Sequence, residues 1–280
     1  MNKLSPERQA EVLKVLCEGN SIRSTARITG TAINSVVTIL KKAGKVCLEY
    51  QDKCLRNLAT QRIECDEIWS FCYAKQRNLP PEKQGRLGYG DIWTFVALDA
   101  DTKLAVSWLV GLREPWYAYE FLKDVKKRVR SRIQLSTDGH HMYFQAAEDT
   151  FGTDIDFAMI IKYYNSTHDE QGRYSPPHCT HVKTKWVQGS PDMSKVSTSY
   201  VERQNLTMRM NMRRLTRLTN AFSKKLENHM AALALYFMHY NFVKTHKTLA
   251  NPYPRTPAMA AGISKDIWTF REIIALLSSG

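Results

Sequence analysis

Three acidic residues, Asp66, Asp138 and Glu202, lie in sequence contexts that suit metal-dependent phosphoryl transfer. Asp66 lies in the aromatic and β-branched segment RIECDEIWSF, and Asp138 follows the short apolar segment IQLST. Glu202 opens a basic stretch, where a carboxylate is unfavourable unless it binds a cation that a phosphate also contacts. An all-oxygen set of Asp, Asp and Glu suits two Mg²⁺ or Mn²⁺ ions better than zinc. These three residues are therefore the predicted catalytic and metal-binding residues.

The elements around the acidic residues predict an α/β fold. Alternation and β-branched content predict strands over residues 63–73, 92–98, 103–110, 133–137 and 155–163. Helical periodicity follows over residues 116–132, 142–151 and 222–243. Strands mixed with helices in this order predict a mixed sheet flanked by helices. Asp138 falls at the carboxyl end of a strand, where ligands of such sheets collect.

The neighbouring carboxylates Asp66 and Glu67 leave an alternative open. Side chains alternate along a strand, so the two residues face opposite sides of the sheet. Both are costly to bury without a partner. Asp66 is assigned to the cation, whereas Glu67 either pairs with a basic side chain or exchanges roles with Asp66.

The basic stretch after Glu202 is predicted to form a helix that faces nucleic acid. Helical spacing places the carboxylate close to a stripe of arginines, beside a separate apolar stripe. The arginines would hold the DNA backbone and the carboxylate the metal. The residues predicted to contact DNA here are Arg203, Asn205, Arg209, Arg213 and Arg217.

The N-terminal 45 residues predict a small all-α domain of the helix-turn-helix type. Ser5-Pro6 is a helix-start signal, Ser21 is a candidate cap, and Gly30 lies where a tight turn is needed. Two short helices around such a turn resemble a helix-turn-helix. The residues predicted to contact DNA from its last helix are Asn34, Ser35, Thr38 and Lys41. The alternative is a three-helix bundle used for dimerisation.

The composition favours a polyanionic partner. The chain has 280 residues with a formal net charge of +13, and 43% of them are hydrophobic. That charge favours binding to nucleic acid and a strong dependence on salt. The six cysteines are scattered, which suits reduced thiols. We expect no signal peptide and no membrane span, because the apolar runs are short.

These observations divide the chain into four predicted parts. Residues 1–45 form the helix-turn-helix domain and residues 46–61 a linker with local structure. Residues 62–250 form the catalytic domain, interrupted by an insertion or mobile loop at residues 165–196, where periodicity is weak. Residues 251–280 form a C-terminal tail.

Other constellations carry less specific signals. His140 and His141 follow Asp138 and either contact the scissile phosphate or serve as a turn and helix start. Trp186, in a basic loop, is a candidate for stacking on a terminal base. The spacing of Cys179 and His181 does not match a standard zinc finger, so a polar loop is preferred there.

Several motifs resemble those of bacterial insertion-sequence transposases of the DDE class. The three acidic motifs are ECDE at 64–67, STDG at 136–139 and YVERQN at 200–205. The resemblance extends over about residues 60–270 and includes YNF at 240–242 and RTPAMAAGI at 255–263. Asp66, Asp138 and Glu202 match the family's catalytic positions. The spacing from Asp138 to Glu202 is wider than in compact members, which supports the insertion at residues 165–196.

The resemblance implies an RNase H-like catalytic fold and a specific activity. It implies Mg²⁺-dependent cleavage at the terminal inverted repeats of an element and strand transfer into target DNA. It also implies a homo-oligomer, at least a dimer, and a bacterial, cytoplasmic, nucleoid-associated protein. The alternatives are a structure-specific nuclease without strand transfer and a DNA-binding regulator whose acidic residues are structural.

Overall fold

The computed structural model describes residues 4–164, 179–216 and 219–278. The helices are α1 (Pro6–Cys17), α2 (Ile22–Thr29), α3 (Ile33–Cys54), α4 (Pro115–Arg128), α5 (Met142–Phe151), α6 (Ser199–Asn211), α7 (Leu226–Met238), α8 (Pro257–Ala260) and α9 (Phe270–Ala275). The strands are β1 (Arg62–Cys72), β2 (Gly90–Asp99), β3 (Ala105–Gly111), β4 (Gln134–Asp138), β5 (Asp156–Tyr164) and β6 (Cys179–Gln188). A π-helical turn, His239–Val243, extends α7. The predicted strands and catalytic-domain helices therefore form close to their predicted positions.

The described strands form one mixed sheet in the order β3-β2-β1-β4-β5-β6. The central strand β1 pairs antiparallel with β2 and parallel with β4. Strand β4 pairs parallel with β5, and β6 closes that edge antiparallel to β5. With helices on both faces of a mixed sheet, the predicted α/β class is confirmed.

Each face of the sheet packs on a different helical layer. On one face, Cys65 of β1 and Phe95 of β2 join a core that includes Phe121 of α4 and Tyr143 of α5. On the other face, Ile68 of β1 joins a core that includes residues of α6 and α7. Because side chains alternate along β1, Asp66 faces the α6 layer and Glu67 the α5 layer.

The N-terminal helices pack directly on the helical layer. The buried residues of α3 repeat at helical spacing through Ala43, Cys47 and Gln51, so α3 continues to Cys54 through much of the predicted linker. A side-chain carbon at Gly44 would lie 2.5 Å from the Ala231 backbone, which shows how closely α3 approaches α7. The predicted turn is present, because Gly30 ends α2 in the left-handed conformation at φ 61°.

Part of the predicted insertion belongs to the sheet. Residues 179–188 form the edge strand β6, although no periodicity predicted a strand there. Most β6 side chains are exposed. A strand exposed on both faces needs no apolar face, so hydrophobic patterning cannot reveal it. Residues 165–178, the other part of the predicted insertion, lie outside the described residues.

The predicted C-terminal tail contributes to the core. Ile273 and Ile274 of α9 are buried in the same core as residues of α1. A capping box at Thr269 and Glu272 fixes the start of α9. Among the described helices, none has the length and apolarity needed to cross a bilayer.

Candidate active site

Asp66 and Asp138 lie on adjacent parallel strands. The register pairs Cys65 of β1 with Thr137 of β4. The residues that follow them, Asp66 and Asp138, therefore lie side by side. The Asp66 Oδ2 atom accepts a hydrogen bond of 2.8 Å from the Asn205 side-chain amide. The Asp138 Oδ1 atom accepts one of 3.1 Å from the His140 backbone N–H. Both carboxylates are therefore oriented by neighbouring polar groups.

The helix that carries Glu202 is fixed at its start by Glu64. The Glu64 Oε2 atom accepts hydrogen bonds from the backbone N–H groups of Tyr200 (2.8 Å) and Val201 (3.0 Å). These are first-turn donors of α6, which otherwise have no partner within the helix. Glu64 is buried, at 2% exposure. A β1 carboxylate thus ties α6 to the same strand that carries Asp66.

Glu202 reaches the site from the first turn of α6. Its Oε1 atom pairs with the Lys162 ammonium of β5 and accepts a hydrogen bond of 2.5 Å from the Thr198 hydroxyl. These contacts hold the carboxylate beside the sheet, in the layer that Asp66 faces. Lys162 is a site residue that the sequence analysis missed, because no local pattern relates it to Glu202.

The three predicted carboxylates line one open cavity. The cavity has a volume of about 500 Å³, and its walls include Asp66, Asp138, Glu202 and Lys162. His140 and Tyr164 complete its polar wall. Side chains from β1, β4, β5 and α6 therefore converge on a space that solvent and a substrate can enter.

The carboxylates on β1 have perturbed proton affinities. Burial and then the neighbouring Asp138 charge raise the pKa of Asp66 to about 6. Burial and then the Asp138 charge raise the pKa of Glu67 to about 7. Desolvation and like charge both disfavour the ionised form. The cluster is therefore one that a cation would stabilise.

The donor set fits a hard divalent cation. Carboxylate oxygens of Asp66, Glu67 and Asp138 lie within 4.8 Å of one another. Oxygen ligands without thiolate suit Mg²⁺ or Mn²⁺. Glu202 is not part of this tight group, because its carboxylate is drawn to Lys162. Asp66 and Asp138 belong both to the group and to the cavity that Glu202 lines.

The predicted DNA contacts of the α6 region divide into different environments. Arg203 and Arg213 are exposed. The Arg209 guanidinium donates to the Leu215 carbonyl oxygen at 3.2 Å. Arg217 lies outside the described residues. The predicted arginine stripe is not continuous, because α6 ends at Asn211 and the buried Met212 adopts an extended conformation that ends the helical periodicity.

Asn205, which was predicted to contact DNA, lies against the sheet. It is 7% exposed, and its amide is committed to Asp66. The spacing that placed it near the arginine stripe also places it against β1, because α6 packs on that strand. In this position the Asn205 amide orients the Asp66 carboxylate.

The predicted DNA contacts of the N-terminal helices lie along α3. Asn34, Thr38 and Lys41 are exposed, and Ser35 is half-buried. The Lys41 ammonium pairs with Glu227 near the start of α7, at 3.1 Å. The outer surface of α3 is thus polar and accessible at its N-terminal half.

A second cavity separates the N-terminal helices from the segment after α6. We call this cavity of about 250 Å³ the basic cleft, since Arg23, Arg213 and Arg214 line it. Arg214 is largely enclosed, and its Nη1 atom donates to the Ser223 hydroxyl and the Asn228 carbonyl, each at 2.8 Å. Burial lowers the pKa of Arg214 to about 10, so the guanidinium remains charged at neutral pH.

The less specific sequence features also have defined positions. The rings of His140 and His141 stack with their centroids 4.8 Å apart, next to the cavity and before α5. Trp186 is 58% exposed on β6, and its indole N–H donates to the Gly189 carbonyl. Cys179 and His181 are exposed on the same strand and are not part of any candidate metal group among the described residues.

Comparison with known proteins gives distant structural neighbours. No protein-family model matches the chain, and no curated protein sequence matches it. A piggyBac transposase synaptic complex with hairpin DNA aligns over 100% of this chain and 71% of its own, with 11% identity and a TM-score of 0.39. The Mos1 mariner paired end complex with Mn aligns over 100% of this chain and 81% of its own, with 11% identity and a TM-score of 0.36.

A third neighbour aligns over less of the chain. The Mos1 strand transfer complex covers 56% of this chain and 59% of its own, with 13% identity and a TM-score of 0.25. Similarity at these levels carries no conclusion about activity. The chemistry of this chain is therefore inferred from its own side chains.

Proposed function

We propose that this chain is a DNA transposase with a DDE polynucleotidyl transferase site. The observation that carries the proposal is the convergence of Asp66, Asp138 and Glu202 on one open cavity. They come from two adjacent parallel strands and a helix, in the chain order that the motif resemblance requires. A regulator or a purely structural protein has no need to gather carboxylates in a space open to solvent, where their charges repel.

The roles of the residues follow from their contacts. Asp66 and Asp138 would hold Mg²⁺ or Mn²⁺, two ions per site, and Glu202 would complete the ligands. Bound ions of this kind activate a water or a 3′-hydroxyl and stabilise the leaving oxygen. The Asn205 amide orients Asp66 through its 2.8 Å hydrogen bond. Lys162 holds the Glu202 carboxylate in an ion pair, and its ammonium, which lines the same cavity, would pair with a substrate phosphate.

The surrounding basic surface supports a DNA substrate. Arg203 and Arg213 flank the α6 region, and the net charge of +13 favours a polyanion. We assign recognition of terminal inverted repeats of an insertion sequence to the exposed residues of α3, acting as a helix-turn-helix. We also propose that the active species is a homo-oligomer, at least a dimer, because two element ends must be joined to one target.

The test is a joining assay with purified protein and Mg²⁺ or Mn²⁺. It uses a labelled duplex of the terminal repeat and a supercoiled target. Glu202→Gln should lower both cleavage and joining by at least about 10³-fold, because it removes a charged ligand. Binding to the labelled end should persist. Glu148→Gln, at an exposed position on α5, is the matched control and should behave like the wild type.

The outcomes distinguish the candidate functions. Joined products that disappear in Glu202→Gln support the transposase. Nicking without joining would favour a structure-specific nuclease instead. Binding that needs no divalent metal, with no strand breaks on any DNA, would favour a regulator and contradict the proposal.

A further inference from the structure

Glu67 is a buried carboxylate that the three-residue site does not use. Its side chain is 1% exposed and lies on the α5 side of β1. One of its oxygens is nevertheless within 4.8 Å of oxygens of both Asp66 and Asp138. Asp138 ends β4 beside β1, so its carboxylate approaches carboxylates from both faces of the sheet. Glu67 thus approaches Asp66 and Asp138 from the α5 face of the sheet.

Only one Glu67 oxygen has a defined hydrogen-bond partner. The Oε2 atom accepts a hydrogen bond of 3.2 Å from the Arg113 guanidinium. Arg113 itself lies over the Trp93 ring, with its central carbon 4.5 Å from the ring centroid. The Oε1 atom is buried without a hydrogen-bond partner. The Tyr143 hydroxyl lies close enough to this carboxylate to lower the pKa of Glu67. The hydroxyl is nevertheless buried without a hydrogen bond of normal geometry.

A buried, unpaired carboxylate oxygen is costly unless something compensates it. When ionised, Asp66, Glu67 and Asp138 carry three negative charges, and Arg113 supplies one positive charge. The charges of Glu202 and Lys162 cancel in their ion pair, so the remaining two negative charges equal the charge of one of the two divalent cations proposed for the site. A plain structural ion pair with Arg113 would not require a Glu67 carboxylate oxygen to lie within 4.8 Å of oxygens of two other carboxylates. The charge balance and the free oxygen both indicate a cation.

We propose that Glu67 is a further ligand of the divalent-cation site, binding through Oε1 together with Asp66 and Asp138. Arg113 is then a positioning residue that holds the other Glu67 oxygen and offsets its charge. This inference rests on the proposed metal-dependent function, and it adds a carboxylate beyond the three-residue motif. It assigns to Glu67 a role in cation affinity that a structural ion pair with Arg113 would not have.

The test measures Mn²⁺ binding by the full chain without DNA, using electron paramagnetic resonance to count free Mn²⁺. Glu67→Gln preserves the shape and removes the charge, and it should weaken Mn²⁺ binding at least about tenfold. Glu67→Asp keeps the charge but shortens the side chain, so its affinity should fall between those of Glu67→Gln and the wild type. Glu148→Gln should bind Mn²⁺ like the wild type.

The variants Asp66→Asn and Asp138→Asn separate a failure of the Glu67 inference from a failure of the metal site itself. If both lose Mn²⁺ affinity while Glu67→Gln and Glu67→Asp bind like the wild type, the Glu67 inference is overturned and the proposed function stands. If neither aspartate variant changes Mn²⁺ affinity, the metal site itself fails. Circular dichroism of the metal-free variants checks folding. If Glu67→Gln does not fold, the Mn²⁺ affinity of Glu67→Asp tests the inference.

Discussion

The two ends of α6 lie in regions of opposite charge, with carboxylates at the N-terminal end and arginines beyond the C-terminal end. At the N-terminal end, Glu64 caps the first turn and Glu202 points into the cavity. Beyond the C-terminal end, Arg213 and Arg214 line the basic cleft. A helix dipole favours anions at its N-terminus and cations at its C-terminus, so both arrangements are favourable. At 1.5 Å per residue, the ends are roughly 18 Å apart.

In the proposed function, one helix would carry a cation ligand at one end and lead to phosphate-binding arginines at the other. The acidic end is closely ordered by contacts with β1 and β5. At the basic end, Arg213 is exposed to solvent and Arg214 is half-buried beside the cleft. Separation along the helix keeps Arg213 and Arg214 apart from the carboxylates, so that in the proposed function these two arginines and the carboxylates would not neutralise each other.

The largest expected effect concerns the Glu64 contact at the acidic end. Glu64→Leu would leave the backbone N–H groups of Tyr200 and Val201 without their acceptor, which should lower the free energy of unfolding by about 3 kcal/mol. Glu64→Gln keeps an acceptor oxygen and should lose less than half of that. Urea unfolding measures both variants. Equal stability of Glu64→Leu and the wild type would contradict the view that Glu64 anchors α6.

A smaller effect is expected from the raised pKa of Asp66. The folded protein has a pKa of about 6 against the ordinary value of 3.8, so it holds this proton more tightly than the unfolded chain. The contribution therefore favours folding below pH 3.8 and is lost as the pH rises through 6. Metal-free Asp66→Asn should be more stable than the wild type at pH 7.5 by on the order of 2 kcal/mol.

The measurement is urea unfolding at pH 5.0 and pH 7.5, with and without Mn²⁺. Saturating Mn²⁺ should stabilise the wild type and remove or reverse the advantage of Asp66→Asn, because the cation replaces the proton. Asp149→Asn, at an exposed position on α5, is the control. If the advantage is the same at both pH values, its cause is not the titration of Asp66.

Local patterns predicted much of the fold. The alternation in β1 and β2 and the helical spacing in α4 are properties of short segments, so the sequence contained enough information for them. The strand β6 was missed because an exposed edge strand has no apolar face. The continuation of α3 to Cys54 was missed because its buried stripe is matched by α7, which is distant in sequence.

The candidate site was predictable in its residue types but not in its contacts. Asp66, Asp138 and Glu202 were chosen from their local contexts, and the cavity contains all three. Lys162 and Arg113 were missed because their partners, Glu202 and Glu67, are distant from them in sequence. Asn205 was assigned to DNA from helical spacing, which cannot reveal which neighbour a helix face packs against. The contacts that could not be predicted from the sequence depend on long-range packing and not on the chemistry of the residues.

The smallest expected effect concerns two exposed arginines, Arg203 in the N-terminal half of α6 and Arg213 just beyond its C-terminal end. Arg203→Gln and Arg213→Gln each remove one exposed charge that we assign to a phosphate contact. Each should lower the slope of log affinity against log salt by about 1 and weaken binding to unrelated duplexes equally. Fluorescence anisotropy over a salt series measures this, with Arg271→Gln on α9 as the exposed control. If Arg271→Gln changes the slope as much as the α6 variants do, the attraction comes from the overall charge, and the two ends of α6 differ only in their acidic chemistry.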